Sequence, residues 1–555
     1  MVDIWYRWER ELLADAEPWE LMRAADESER EDAISRDVSF GTGGIRALMG
    51  IGPNRLNRLT VARASAGLAA YLHEVCDYVP SVVIAYDTRY HSADFARVAA
   101  GTFAAAGVRA LVFAEPCATP LLSFAVPRLG ADAGVVITAS HNPMEYNGYK
   151  VYGALGDQAT NELAHAVQSA IREIDPFAVP VESLNQALSG GRVTWVDSSL
   201  KDDYVRAVLA QSTGVSCDNL SIAYSPLNGC GLGPVRAVLE ARGVRYVLVD
   251  EQCEPDGTFA TCPRPNPERA DAMSLTMACA TEHASDLALA NDPDVDRIGV
   301  AVPRPDGMRL LTGDEVGLLL FDFICRVTTL PEHPVAITTI VSSPLIDAIA
   351  EQSGVELRRT LTGFKYVGEQ INLLEEQGRV DDFIVGVEES CGYLRGSYLR
   401  DKDGVVSLML VCEMAAWHKA QGRDLCDALE ELYERYGHVV SRQVCIEFEG
   451  IEGRREMELL MSRLRTDPPA AVGGHALIGV RDYLGGAPMP GDPSQILPSA
   501  NVVQLDCVDG CRLIVRPSGT EPKVKAYCFA CGSTRIQAME RLALMEVDAR
   551  ELARG

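Results

Sequence analysis

The 555-residue chain lacks two features that direct proteins into or across membranes. No run approaches the roughly 18 apolar residues that a membrane-spanning helix needs. The opening residues, MVDIWYRWERELLADAEPWE, lack the charged and then apolar layout of a signal peptide. We therefore expect a cytoplasmic protein with no membrane partner.

Basic charge is also scarce. The chain has 51 Lys and Arg residues against 78 Asp and Glu residues, and its formal net charge is −27. A field of that sign repels nucleic acids and anionic lipid surfaces, so we expect no nucleic-acid partner. The composition, 47% hydrophobic and 23% charged, is that of a folded globular protein, and the length suggests about three to five domains.

A metal-binding pattern of cysteines is missing as well. The 16 cysteines are scattered through apolar segments, as expected for small core residues in a reducing compartment. Cys528 and Cys531 form a CxxC that has no second pair. They lie in the alternating stretch KVKAYCFAC, which is typical of a strand, so we interpret them as strand positions.

Short apolar runs alternate with Ala- and Leu-rich helical stretches, which is the pattern of parallel α/β layers. The runs form three groups of three, and the third run of each group leads into a polar loop: TASHNP, NDPDVDR and VEESCGY. The order suggests one α/β unit used three times. Ligands of such sheets bind at the carboxyl ends of strands. The predicted strands are 82–86, 110–114 and 135–138, then 222–224, 246–249 and 287–290, then 336–340, 355–358 and 383–387.

The pattern changes after about residue 431. The stretches QVCIEFEG, NVVQLDCV, CRLIVRPSG and KVKAYCFA are separated by loops rich in Gly and Pro, which predicts a smaller α+β domain with an antiparallel sheet. The predicted domains are 1–195 with a serine loop, 196–308 with an acidic loop, 309–430 with the VEESCGY loop, and 431–555 with the loop RPSGTEPK.

The first loop places Ser140 on a tight Ser-His-Asn-Pro turn, where its hydroxyl would project instead of packing. A capping serine is the simpler interpretation of this turn taken alone. The adjacent His141 would, by itself, more often be a surface or structural histidine.

The second loop, NDPDVDR, places Asp292, Asp294 and Asp296 at alternating positions, so their carboxylates converge on one side of an extended segment. Three such oxygens suit a hard cation such as Mg²⁺, whereas the twelve-position EF-hand pattern is absent. Arg297 comes directly after these aspartates, where its forked guanidinium group could bind a phosphate. A solvated acidic turn is the alternative, but its three like charges would repel one another.

Three further segments carry polar groups suited to a phosphorylated sugar. In VEESCGY, Glu388 and Ser390 could form hydrogen bonds with sugar hydroxyls. In FGTGGIRALMG, the glycines would let the backbone approach a phosphate group while Arg46 binds it. A nest for a phosphate dianion is expected in RPSGTEPKVK, although a polar hairpin loop is its alternative. The residues of that nest are Arg516, Ser518, Gly519, Thr520 and Lys523.

TASHNP, NDPDVDR, EES and RPSGTEPK occur in this order, one in each predicted domain. Together they resemble the α-D-phosphohexomutase superfamily of phosphoglucomutases, phosphomannomutases and relatives, over about residues 40 to 530. The resemblance implies an α/β fold of four domains. Three would be related α/β units with mixed sheets, and the fourth a smaller C-terminal α+β domain. It also implies a heart-shaped molecule around a central cleft.

The resemblance also implies roles for individual residues. Ser140 matches the serine that is phosphorylated in the resting enzyme, and Ser140, Asp292, Asp294 and Asp296 match the Mg²⁺ ligands. The matched groups around the reacting phosphoryl are His141, Lys150, Arg46 and Arg297. Those that bind the sugar and its second phosphate are Lys365 (in GFKYVG), Glu388, Ser390, Arg516, Ser518, Gly519 and Thr520.

The activity implied by the resemblance is interconversion of α-D-glucose 1-phosphate and glucose 6-phosphate, through a phosphoserine enzyme and glucose 1,6-bisphosphate. The implied cofactor is Mg²⁺, the partners are small sugar phosphates, and the assembly is a monomer or homodimer. EESCGY differs from the EESGG of better-known phosphoglucomutases, and RPSGTEPK is closer to a branch that includes phosphopentomutases. Mannose and pentose phosphates therefore stay open as substrates.

Two other classes of function are also open. DPDVDR superficially resembles the Asp-x-Asp site of a phosphatase with an aspartyl nucleophile, but that activity would leave TASHNP without a role. A sugar-phosphate binding protein that has lost catalysis is the other class. Against it, Ser140, Lys150 and the three aspartates are all present.

Overall fold

The computed structural model describes residues 2–13, 26–40, 43–448, 450–517 and 523–552. The chain divides into two compact units. The first consists of Met1–Leu311, Val367–Val380 and Gly392–Ala416, and the second of Thr312–Tyr366, Asp381–Cys391 and Trp417–Gly555.

The first sheet of the first unit has six strands. Its central strand has the sequence SVVIAY, is buried along its whole length and pairs in parallel with a strand on each side, as apolar runs in parallel layers do. The elements of this region are α1 (Val2–Leu13), α2 (Glu27–Ile34), β1 (Gly44–Leu48), α3 (Arg58–Val75), β2 (Ser81–Tyr86), α4 (Ser92–Ala105), β3 (Arg109–Val112), α5 (Thr119–Arg128), β4 (Ala133–Ile137), β5 (Tyr146–Tyr152), α6 (Asn161–Arg172), α7 (Leu184–Ser189), β6 (Val193–Trp195) and α8 (Ser199–Leu209). The strand order is β1-β5-β4-β2-β3-β6, with β5 antiparallel to β4 and β1.

The second sheet repeats this arrangement with five strands. Its elements are β7 (Ser221–Ser225), α9 (Leu232–Ala241), β8 (Arg245–Leu248), α10 (Ser274–Glu282), β9 (Leu287–Asn291), β10 (Ile298–Arg304) and β11 (Gly307–Leu310). The order is β11-β10-β9-β7-β8, in which β7 is parallel to β8 and β9, and β10 is antiparallel to β9.

The third α/β region contains α11 (Gly313–Val327), β12 (Val335–Thr339), α12 (Leu345–Ser353), β13 (Glu356–Thr360), α13 (Phe364–Glu376), β14 (Phe383–Glu388), β15 (Gly392–Leu394) and α14 (Gly404–Lys419). Within the second unit, β12 lies between β13 and β14 and is parallel to both. The capping box of Thr312 begins α11. The chain passes from one unit to the other within α13 and within α14.

The C-terminal region is built on an antiparallel sheet in the order β16-β23-β22-β21-β18-β17. Its elements are α15 (Leu425–Tyr436), β16 (His438–Glu447), α16 (Gly450–Thr466), β17 (Ala471–Val472), β18 (His475–Asp482), β19 (Ala487–Met489), β20 (Asp492–Leu497), β21 (Val503–Cys507), β22 (Arg512–Pro517), β23 (Lys523–Gly532) and α17 (Arg535–Leu552). One face packs on α16 and α17, and the other shares a core with Ile340 and Tyr366.

The predicted fold class is confirmed, with three α/β regions and a β-rich C-terminal region. All nine predicted strands are present, and each group has the same order, with its first strand between the second and the third. Cys528 and Cys531 lie on β23, as predicted. Among the described residues, no helix has the length and apolar character needed to cross a membrane.

Candidate active site

The serine loop follows β4 directly, at the carboxyl end of that strand. Ser140 has a φ of 53°, in the left-handed region that residues with a side chain rarely adopt. Its N–H donates to Thr138 Oγ1 at 2.8 Å, and its own hydroxyl donates to Asp292 Oδ2 at 2.7 Å. Ser140 is only 2% exposed, so the hydroxyl projects toward the acidic loop and not into solvent.

His141 lies beside this hydroxyl. Its Nδ1 is 3.2 Å from Ser140 Oγ. Burial lowers the pKa of His141 well below its ordinary value, and the positive charges of Arg297 and Arg46 add to this. The imidazole is therefore neutral at physiological pH, and its Nδ1 shares a hydrogen bond with the Ser140 hydroxyl.

The acidic loop follows β9, at the equivalent place in the second sheet. Asp292, Asp294 and Asp296 are buried, and one carboxylate oxygen of each lies within 4.8 Å of the other two. The N–H groups of Asp296 and Arg297 donate to Asp292 Oδ1 at 3.1 and 3.0 Å. These bonds fold the loop back on its first aspartate.

Two lysines neutralise part of this negative charge. Lys150 Nζ, on β5, is 3.0 Å from Asp294 Oδ2 and 3.7 Å from Asp296 Oδ2. Lys402 Nζ is 3.2 Å from Asp296 Oδ2. Burial acts to raise the pKa of Asp294, but the Lys150 ammonium and its hydrogen bond hold it below the ordinary value. Sequence reasoning missed Lys402, whose only signal was the charged segment RDKDG.

The carboxylates retain capacity for a cation. Asp294 Oδ1 and Asp296 Oδ1 are buried and accept no hydrogen bond from the described residues. Burial and the two neighbouring carboxylates raise the pKa of Asp292 well above its ordinary value, as expected for like charges without a cation. Oxygen donors of this kind fit a hard divalent ion, and Ser140 Oγ lies beside them.

The two predicted arginines lie at the edges of these loops. Arg46, on β1, is exposed and donates from Nη1 to Asn142 Oδ1 at 3.2 Å. Arg297 Nη1 is 2.7 Å from Glu268 Oε1, and its Nε is 3.7 Å from Asp296 Oδ1. The structure thus brings Arg46 to the serine loop and Arg297 to the acidic loop.

The predicted sugar-reading residues belong to the second unit. Glu388 ends β14 and is 5% exposed, and Ser390 lies in the turn that follows. Glu389, between them, accepts a hydrogen bond from Thr339 Oγ1 at 2.9 Å. Lys365, on α13, is 2% exposed, with its Nζ 4.8 Å from the centre of the Tyr366 ring.

The predicted phosphate loop is partly described. Arg516 lies near the end of β22 and Lys523 begins β23, whereas Ser518, Gly519 and Thr520 lie outside the described residues. Burial raises the pKa of Tyr527, as do the carboxylates of Glu389 and Glu388, while a hydrogen bond with Arg516 acts to lower it. Arg516 and the sugar-reading loop therefore lie around the same tyrosine.

The pH dependence of stability tests the burial of Glu389 beside Glu388 and Asp314. Burial, with the charges of Glu388 and Asp314, raises its pKa to about 8, against an ordinary value of about 4.3. The folded state therefore holds a proton that the unfolded state releases, and stability must fall as pH rises between these values. We expect Glu389→Gln to reduce the fall in Tm from pH 5 to pH 8, measured by differential scanning calorimetry.

Glu434→Gln is the matched control, because Glu434 is exposed on α15 and the substitution makes the same change of charge. An equal fall in Tm for the wild type, Glu389→Gln and Glu434→Gln would contradict the prediction.

Sequence comparison places the chain among known proteins. Three phosphoglucomutase/phosphomannomutase α/β/α domains match it: domain I at residues 37–177, domain II at 202–307 and domain III at 312–436. A Staphylococcus haemolyticus phosphoglucomutase is 34% identical over 505 residues, covering 90% of this chain and 91% of the relative. The chain belongs to the phosphoglucomutase/phosphomannomutase family. A Staphylococcus aureus phosphoglucomutase is 33% identical, covering 90% of each chain.

Solved structures of the family have the same fold. The Paramecium phosphoprotein parafusin, a phosphoglucomutase, superposes with a TM-score of 0.70 at 17% identity, covering 94% of this chain and 96% of its own. A Burkholderia thailandensis member of the family superposes with a TM-score of 0.66 at 18% identity, covering 92% and 96%. The predicted superfamily is confirmed, and its members are mutases.

Proposed function

We propose that the protein is a phosphoglucomutase that interconverts α-D-glucose 1-phosphate and glucose 6-phosphate through a phosphorylated Ser140. The observation that carries the proposal is the 2.7 Å hydrogen bond from Ser140 Oγ to Asp292 Oδ2, which belongs to a cluster of three buried carboxylates. The named relatives, at 33 and 34% identity over most of the chain, support glucose as the sugar.

In the proposed reaction, phosphoserine 140 donates its phosphoryl group to the free 6-hydroxyl of glucose 1-phosphate. The product at that stage, glucose 1,6-bisphosphate, turns end for end and returns its 1-phosphoryl group to Ser140. As the Oγ–P bond breaks and the O6–P bond forms, the proton of the 6-hydroxyl must pass to Ser140 Oγ. His141, whose Nδ1 lies 3.2 Å from Oγ, would help to deliver it. Lys150, paired with Asp294, would neutralise charge and take part in proton transfer.

The residues present fit a bound Mg²⁺. Asp292, Asp294, Asp296 and Ser140 Oγ would hold it, and it would supply positive charge where the phosphoryl group transfers. Arg46 and Arg297 would add to that charge from the serine loop and the acidic loop. In the second unit, Glu388, Ser390 and Lys365 would bind sugar hydroxyls, while Arg516, Lys523 and the intervening loop would bind the second phosphate.

The structure argues against the phosphatase alternative. An aspartyl phosphatase would leave the serine loop without a role, whereas Ser140 Oγ donates to Asp292 Oδ2 at 2.7 Å and His141 lies beside it. These contacts favour phosphoryl transfer through the serine.

The identity of the preferred sugar is tested by measuring kcat/KM for glucose 1-phosphate, mannose 1-phosphate and ribose 1-phosphate, each in the presence of its bisphosphate. We expect glucose 1-phosphate to have the highest value. A higher value for mannose 1-phosphate would make the protein a phosphomannomutase, which the family description includes. No turnover and no phosphate on Ser140 would favour a binding protein.

Other parts of the proposal concern the setting of the reaction. Glucose 1,6-bisphosphate would act as both intermediate and activator, and the partners would be small sugar phosphates. We propose a cytoplasmic monomer or homodimer, with domains at 1–195, 196–308, 309–430 and 431–555.

Substitution of Arg516 tests the second phosphate site. Arg516→Ala should raise KM for glucose 1-phosphate about 10- to 150-fold, because a charge-assisted bond to a dianion worth about 1.5–3 kcal/mol is lost. Steady-state kinetics measure this effect. Arg512→Ala is the control, since Arg512 lies on the same strand and pairs with Asp506. If both variants keep the wild-type KM, the second phosphate binds elsewhere.

A further inference from the structure

Arg89 is a buried arginine next to the serine loop that sequence reasoning did not single out. It follows β2 and is 3% exposed. Its Nη1 donates to the carbonyl oxygens of Pro143, at 2.9 Å, and Tyr146, at 3.3 Å. Its Nη2 donates to the carbonyl oxygens of Ser140 and Asn142. One side chain thus binds four carbonyls of a single loop.

A second set of contacts connects Arg89 to the serine from the other side. Asp87 Oδ2 lies 3.3 Å from Arg89 Nε and accepts a hydrogen bond from Thr138 Oγ1 at 2.6 Å. Thr138 Oγ1 in turn accepts the N–H of Ser140 at 2.8 Å. The carbonyl and the N–H of Ser140 are therefore both held by one buried network.

The geometry leaves no Nη donor of Arg89 free for a substrate, and its buried Nε lies against Asp87. Its four Nη hydrogens are committed to backbone carbonyls, and the face of its guanidinium lies 4.8 Å from the centre of the Phe259 ring. Arg46, by contrast, is exposed and bonds only to a side-chain amide among the described residues. A phosphate would meet Arg46 and would not reach Arg89.

The serine needs such a restraint because its φ of 53° is unfavourable for a residue with a Cβ. If the loop relaxed, Ser140 Oγ would leave its position 2.7 Å from Asp292. Displacements of about 1 Å at a reacting group can reduce turnover about 100-fold.

We propose that Arg89 is a positioning residue, which fixes the left-handed backbone of Ser140 so that its hydroxyl faces the acidic loop. This inference rests on the proposed phosphoserine function. The network of Arg89, Asp87 and Thr138 holds the serine loop through its backbone groups.

The main test is Arg89→Lys, which keeps the positive charge and loses the fork that binds several carbonyls at once. We expect kcat to fall about 100-fold while KM for glucose 1-phosphate stays unchanged. Mass spectrometry should show slower phosphorylation of Ser140 by glucose 1,6-bisphosphate. The control is Arg97→Ala, because Arg97 is an exposed arginine on α4 that forms an ion pair with Asp94.

Two further measurements cover the case in which Arg89→Lys folds poorly. Thr138→Val removes the hydroxyl that joins Asp87 to the Ser140 N–H, and we expect kcat to fall about 10-fold with KM unchanged. In Arg89→Ala, added millimolar guanidinium chloride should restore part of kcat, whereas sodium chloride should not. Hydrogen exchange should be faster in the 138–146 peptide of each variant.

The outcomes separate this inference from the proposed function. A wild-type protein with no phosphoserine and no mutase activity would contradict the function, and hydrogen exchange would still test the restraint. A raised KM with unchanged kcat in Arg89→Lys would mean that Arg89 binds phosphate. Wild-type kcat and wild-type exchange in both Arg89→Lys and Thr138→Val would overturn the inference.

Discussion

Replacement of Ser140 by alanine should abolish mutase activity while leaving the fold intact. Loss of a covalent phosphoryl acceptor is expected to reduce kcat by at least about 10,000-fold, the order of effect seen when a catalytic nucleophile is deleted. The substitution removes one hydroxyl and no core volume, so the unfolding free energy should change by about 1–2 kcal/mol at most. The assay is conversion of glucose 1-phosphate with added glucose 1,6-bisphosphate, together with mass spectrometry of the 138–146 peptide.

Ser65→Ala is the matched control. Ser65 is also fully buried, and its hydroxyl lies 3.0 Å from the hydroxyl of Tyr149, away from the acidic loop. This variant should keep both activity and the phosphate on Ser140. Substantial turnover by Ser140→Ala would refute a mechanism that passes through phosphoserine.

Removal of divalent cations should produce the second large effect. Exhaustive chelation is expected to lower turnover by about 100-fold or more, because the buried carboxylates then have no cation to neutralise the transferring charge. Added Mg²⁺ should restore activity. It should also raise Tm in proportion to the logarithm of its concentration above Kd, since binding stabilises only the folded state.

Asp294→Asn separates the acidic loop from other cation sites. Asparagine keeps the shape of the side chain and removes one negative charge, so calorimetric titration with Mg²⁺ should show loss of binding. Asp286→Asn is the control, because Asp286 lies in the same region before β9 and binds the N–H of Ser221. Activity that survives chelation, or unchanged Mg²⁺ binding by Asp294→Asn, would mean that the acidic loop is not the metal site.

The parts of the fold that could be predicted from sequence are those in which one physical signal dominates. Buried parallel strands need continuous apolar residues, so runs such as 82–86 and 287–290 were recognisable. The antiparallel strand β5 was not, because YNGYKVY reads as a polar segment and is buried only by its tertiary partners. The glycine-rich segment FGTGGIRALMG has no strand pattern either, yet it contains β1. A Cβ added at Gly44 of this strand would be 2.3 Å from the Tyr149 carbonyl oxygen.

The candidate site likewise contains some residues that the sequence predicts and others that it does not. Ser140 and the three aspartates were found because each group lies in one short segment after a recognisable strand. Arg89 and Lys402 lie far along the chain from the serine loop and the acidic loop that they contact, and their neighbouring residues carry no distinct pattern. Their contacts depend on how distant strands and loops pack together. This packing cannot be read from any short segment of one sequence.

The strand order of the C-terminal sheet has a consequence for synthesis of the protein. The two α/β sheets formed by β1 to β11 are complete at Leu310, so these sheets can form while the rest of the chain is still being made. In the C-terminal sheet, the first strand, β16, pairs along its whole length with the last strand, β23. The edge of β16 that pairs with β23 therefore stays open until β23 has been synthesised. Unpaired strand edges of that kind are prone to aggregation. A ribosome that stalls before β23 would therefore release a chain whose serine and acidic loops have already folded and whose β16 edge is exposed.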